Sequence, residues 1–106
     1  MVTAAQLRDL AMSLPGTIEA PHFDRQAFKV HRIYVTLAAD GQTGNLMLTP
    51  DEQSLVCEAA PAIFYPVDNA WGRKGATTII LSQASLQDLA SALQMAYAHA
   101  VSKRKS

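Results

Sequence analysis

What most constrains this chain is the order of its periodicities: helical spacing at both ends and once near the middle, with short β-rich runs between them. At the N-terminal end Leu7, Leu10, Ala11 and Leu14 form one apolar stripe. Thr3 and Gln6 stand at capping-box spacing before it, and Pro15-Gly16 ends it. At the other end Leu86, Leu89, Ala90, Leu93, Tyr97 and Ala100 share a face, with Ser85 and Asp88 at the cap. Between these helices lie Ala27 to Val30, Ile33 to Leu37, Asn45 to Leu48, Ile63 to Val67 and Thr77 to Leu81, all reading as strands. Pro66 lacks an amide donor, which confines its strand to an edge or places the proline at the strand's end. His31-Arg32 reads as a tight hairpin, and Asp40-Gly41 with Thr43-Gly44 as a second turn. A middle helix begins at Thr49-Pro50, with Glu52 completing a capping box, and ends at Pro61. Grouped strands flanked by helices predict an α+β fold with a mostly antiparallel sheet, because a parallel sheet needs strict strand–helix alternation.

With 106 residues there is room for one domain over residues 1–106, ending in a basic tail over 102–106. A hydrophobic content of 49% is enough for a core. The opening residues include Arg8 and Asp9 and do not read as a signal peptide. A single cysteine, Cys57, rules out an internal disulfide. No run approaches the roughly 18 apolar residues of a membrane span, so no membrane partner is expected. Together these features point to a reducing, cytoplasmic setting.

Nine basic residues balance nine acidic ones. Lys103, Arg104 and Lys105 account for three of the basic residues, so the remainder carries six against nine. A polyanion could therefore be held only by a local patch. Arg25, Lys29, His31 and Arg32 lie in and beside the first hairpin, and Arg73 and Lys74 follow Trp71. Trp71 could serve as a stacking platform or partner anchor, but such a residue more commonly folds back over a small core.

Metal and catalytic chemistry have little to build on. His22, His31, His99 and Cys57 lack metal-ligand spacing, and His99 is expected to be solvated on the far side of the last helix. Glu58 beside Cys57 disfavours a thiolate. His22 and Asp24, two apart on a strand, would share a face and a hydrogen bond. Met95 lies on the back of the last helix, where it could meet a partner. No cofactor and no enzymatic activity are expected, and a monomer is favoured.

Leu14-Pro15-Gly16, His22-Phe23, Phe28-Lys29-Val30, Asn45-Leu46-Met47-Leu48-Thr49-Pro50, Pro66-Val67 and Ala70-Trp71-Gly72-Arg73-Lys74-Gly75 follow one another in an order that resembles the MmcQ/YjbR family. The chain departs from that pattern at Ala76, where an aromatic residue is expected. The resemblance implies a small bacterial protein with a CyaY-like α+β fold and a double-wing arrangement of β elements. It also implies a non-enzymatic DNA-binding role, with Arg25, Lys29, Arg32, Arg73, Lys74, Lys103, Arg104 and Lys105 contacting phosphates. Such binding would be weak and non-specific, about 10⁻⁴ to 10⁻⁶ M at physiological salt. The competing expectation is a protein- or small-ligand-binding module with a cleft around His22, Tyr34 and Trp71.

Overall fold

The computed structural model describes residues 1–102; the basic residues Lys103, Arg104 and Lys105 fall outside the described part. The elements run α1 (Ala4–Ser13), β1 (Ile18–His22), β2 (Arg25–Lys29), β3 (Ile33–Leu37), β4 (Thr43–Met47), α2 (Pro50–Ala59), β5 (Phe64–Pro66), α3 (Ala70–Arg73), β6 (Ala76–Ile80) and α4 (Leu86–Ser102). All strand pairs are antiparallel, in the order β1-β2-β3-β4-β6-β5, which makes this an α+β fold. Among the described residues no helix is long and apolar enough to cross a membrane.

The predicted caps form as the sequence indicates. Thr3 and Thr49 each accept from the backbone amide three residues on, while Gln6 and Glu52 reach back to the cap amides. Ser85 and Asp88 exchange the same pair of bonds before α4. Pro66 sits in β5, at one edge of the sheet, and Pro21 sits in β1, at the other. β1 is an addition to the sequence reading: Ile18-Glu19-Ala20-Pro21-His22 has no apolar alternation, and its pairing to β2 holds it in place. Arg8 of α1 also reaches it, with Nε donating to Glu19 Oε1 at 2.7 Å. Hydrogen bonds from Gln26 and then Arg8 hold the Glu19 carboxyl below its usual range.

Side chains alternate across a strand, so the pairing register separates the two faces of the sheet. One face carries Phe28, Val35, Leu46 and Ile79, buried together with Leu7 of α1 and Leu89 and Leu93 of α4. Each large apolar side chain so buried contributes about 1.5–3 kcal/mol. The opposite face carries Ala27, Thr36, Asn45 and Thr78 side by side, a row too small and polar to seat a helix.

A β-bulge interrupts this alternation. Phe28 pairs with Val35, but Lys29 pairs with Ile33, so Tyr34 is an extra residue on β3. The phase slips by one. Tyr34 and Val35 are both fully buried, whereas Ile33 passes to the face opposite the α1 and α4 core. The Tyr34 hydroxyl donates to Ala11 O at 3.1 Å and lies 2.9 Å from Thr17 Oγ1, and its ring meets Tyr97 of α4 edge-on. Burial pushes the Tyr34 phenol up from its ordinary value, partly offset by the Thr17 bond. This corrects the expectation that Tyr34 lines a cleft.

The last helix is also rotated from the sequence reading. Leu86 is exposed, and the buried stripe is Leu89, Ala92, Leu93, Ala96 and Ala100. Met95 therefore lies partly against the core, toward α2, instead of on an outer face. His99 is half-buried, with Nε2 2.8 Å from Glu52 Oε1, so it is held instead of solvated.

Candidate functional site

On the face turned away from the α1 and α4 core, the sheet borders a cleft. His22, Arg25, Thr36, Asn45, Asn69 and Trp71 are among the side chains around a recess of about 540 Å³. A second recess of about 370 Å³ adjoins it, reaching Arg32, Lys74, Pro50 and His99. Ile33, Met47, Trp71 and Ala76 line both, so the two make one continuous cleft. The β-bulge gives the cleft Ile33 as part of its apolar floor.

Trp71 owes its position to a short helix that sequence periodicity does not reveal. Asn69 caps α3, its Oδ1 accepting from the amides of Trp71 at 2.8 Å and Gly72 at 3.3 Å. Gln53 of α2 clamps the far side, with Nε2 donating to Gly72 O at 2.8 Å and Ala76 O at 2.9 Å. Gly72 approaches β5 so closely that a Cβ there would lie 1.6 Å from Val67 O. The ring itself is 64% exposed, which overturns the expectation that it folds back over the core. Lys74 lies over it, with Nζ 5.5 Å from the ring centroid.

Phe23 forms the opposite rim. It follows β1 in a two-residue loop closed by the His22–Arg25 pair, with φ at +59° and its ring 95% exposed. Glycine is the favoured residue at positive φ in such loops, so an aromatic side chain here carries strain that no core packing offsets. His22 meets Phe23 edge-on, with ring centroids 4.8 Å apart. The expected His22–Asp24 hydrogen bond does not form, because His22 ends β1 while Asp24 lies in the loop that follows, so the two do not alternate on a strand.

The cleft gathers some of the basic residues singled out in the sequence and leaves others aside. Arg25 Nε donates to Thr36 Oγ1 at 2.8 Å, which lays its guanidinium along the cleft wall. Arg32 donates to His99 O at 3.1 Å and joins Lys74 around the second recess. Lys29, at the end of β2, and Arg73, in the last turn of α3, do not line it. Among the lining residues Asp24 is the one carboxylate.

Hydrogen bonding also gives the cleft a polarity. Asn45 Oδ1 accepts from Thr78 Oγ1, and Asn69 Oδ1 accepts from two amides. The acceptor of each amide is thus engaged. Among the described residues both NH₂ groups are left without a protein partner. The cleft therefore presents donors, from Asn45, Asn69 and Arg25, between two exposed aromatic rings. Sequence reasoning missed Phe23, Asn45 and Asn69, since single polar or aromatic residues at turns and on a sheet carry no spacing signal.

Among the described residues no group of three or more His, Cys, Asp and Glu side chains is placed to hold a metal ion. Cys57 lies on α2 away from the cleft, and burial raises its thiol above the usual value.

Comparison with known proteins identifies the chain's relatives. No curated protein matches it. Among solved structures, the crystal structure of Deinococcus radiodurans protein DR2400, a DUF419 domain, is similar at a TM-score of 0.79 and 22% identity. The match covers 98% of this chain and 81% of that one, and it bears on fold alone. The YjbR family model matches residues 12–99, the whole of the sheet and all of the cleft. The chain belongs to the YjbR family.

Proposed function

We propose that this protein binds DNA without transforming it, holding the phosphate backbone along the cleft with Arg25, Arg32 and Lys74. One observation carries the reading: a chain of zero formal charge gathers three basic side chains, against the single carboxylate of Asp24, around one concave surface. Phosphate contacts of this kind supply most sequence-independent affinity. Lys103, Arg104 and Lys105 would add long-range attraction. Lys29 and Arg73, which lie off the cleft, are assigned a minor part.

Fluorescence anisotropy of labelled duplex DNA, titrated at two salt concentrations, tests this. Three phosphate contacts give a log–log salt slope near −2.7, or roughly fortyfold weaker binding between 50 and 200 mM salt. Lys74→Ala should lower that slope by about one unit. Flat anisotropy up to about 100 μM protein at low salt, where non-specific binding is tighter than its usual range of about 10⁻⁴ to 10⁻⁶ M, would refute the reading. The first recess favours a second reading, since about 540 Å³ with an apolar floor suits a small ligand. Saturable binding of a small molecule, independent of salt and abolished by Trp71→Ala, would support it over the first.

A further inference from the structure

Within that DNA-binding reading, we infer that the cleft takes an unpaired strand, with bases stacked on Phe23 and Trp71 and their acceptor atoms turned to Asn45, Asn69 and Arg25. Duplex DNA needs only cations along a ridge, and its bases are already stacked on one another. This cleft offers something different. Two aromatic rings, 95% and 64% exposed, stand at its rims, and neither contributes to the core. Phe23 holds its ring in solvent at a positive φ, at a position where glycine would be free of strain. A ring held there at a conformational cost is poised to meet an occupant of the cleft. Stacking suits that role because every base has a π-face.

The polar groups between the rings select the same occupant. Asn45 and Asn69 have their oxygens engaged by Thr78 and by α3 amides, which, among the described residues, leaves their N–H groups free for a ligand. Arg25 keeps guanidinium protons beyond those it gives to Thr36. Base carbonyl oxygens and phosphate oxygens are acceptors, and thymine offers two carbonyl oxygens once it is unpaired. The floor beneath, with Ile33, Met47 and Ala76, is apolar and accepts the edge of a flat ring. Arg32 and Lys74, further along, continue the positive track that a strand backbone would follow.

Trp71 is the chain's sole tryptophan, so its emission reports occupancy directly. The measurement compares oligothymidylate of about twelve nucleotides, an abasic strand of equal length and a mixed-sequence duplex at one low salt concentration. Tryptophan quenching and anisotropy are read together. We expect the thymidine strand to bind at least tenfold more tightly than either the abasic strand or the duplex, with Trp71 quenched. Phe23→Ala, at an exposed position, should weaken that strand about five- to 150-fold, the range of one base–aromatic stack, and weaken the duplex far less. Abasic or duplex DNA binding as tightly as oligothymidylate, with Phe23→Ala silent, would overturn the unpaired-strand inference and leave the DNA reading standing. Failure of all three to bind would overturn both.

Discussion

Replacing Tyr34 with phenylalanine removes one oxygen and two hydrogen bonds from the centre of the molecule while keeping the ring in place. The hydroxyl donates to Ala11 O and pairs with Thr17 Oγ1. Ala11 O keeps a second partner, the Leu14 amide at 3.1 Å, so it is not orphaned. Thr17 is itself buried and loses its only side-chain partner among the described residues. A net hydrogen bond is worth about 1 kcal/mol, and a buried hydroxyl left unpaired costs about 1–3 kcal/mol. The two effects together set the loss at about 2 kcal/mol. For a domain of this size that lowers Tm by roughly 8 to 12 °C, and it is measurable as a shift of urea midpoint at unchanged m. There is also a pH component. The folded protein holds the Tyr34 proton more tightly than the unfolded chain, chiefly because the phenol is desolvated. The stabilisation is complete below the ordinary value of 10.0 and is lost as pH rises through the raised one. The stability difference between the native protein and Tyr34→Phe should therefore narrow above about pH 10. A change under about 0.5 kcal/mol at pH 7 would refute this account of the bulge. So would full stability combined with lost DNA affinity, which would return Tyr34 to the cleft.

Two further substitutions probe the frame around the cleft. Gly72→Ala, normally favourable within a helix by about 1 kcal/mol, should here destabilise by at least about 2 kcal/mol, because its Cβ would strike Val67 O. Urea unfolding checks the sign, and an increase in stability would refute the close approach. Cys57 should react with iodoacetamide more slowly than a free cysteine peptide at pH 8, and its rate should rise only at higher pH, because burial raises the thiol. Equal rates would refute that burial.

Much of the fold could be read from local chemistry. Both Thr-led capping boxes, the end helices and the edge position of Pro66 follow from residues acting on their immediate neighbours. What could not be read depends on partners distant in the chain. β1 exists because Arg25–Lys29 pairs with it, and its own composition says little. The exchange of Tyr34 and Ile33 between faces comes from one unpaired residue in a ladder, which no period-2 pattern announces. α3 is four residues long and is held by Asn69 and Gln53 instead of by an apolar stripe. The cleft was legible in the same uneven way. Its basic residues stood out as charges, whereas the rings and amides that shape it were isolated residues of no particular spacing.

The two prolines at the margins of the sheet bear on how the protein behaves in a crowd of its own copies. An open sheet ends in two rows of unpaired peptide groups, and a strand from another molecule can add to either row. Pro21 and Pro66 each remove one amide from those rows, on opposite borders of the same sheet. Each border of the six-stranded sheet thus lacks one of the donors an added strand would pair with. At high concentration, where exposed strand edges tend to pair between molecules, both flanks of this sheet are poorer templates for that pairing.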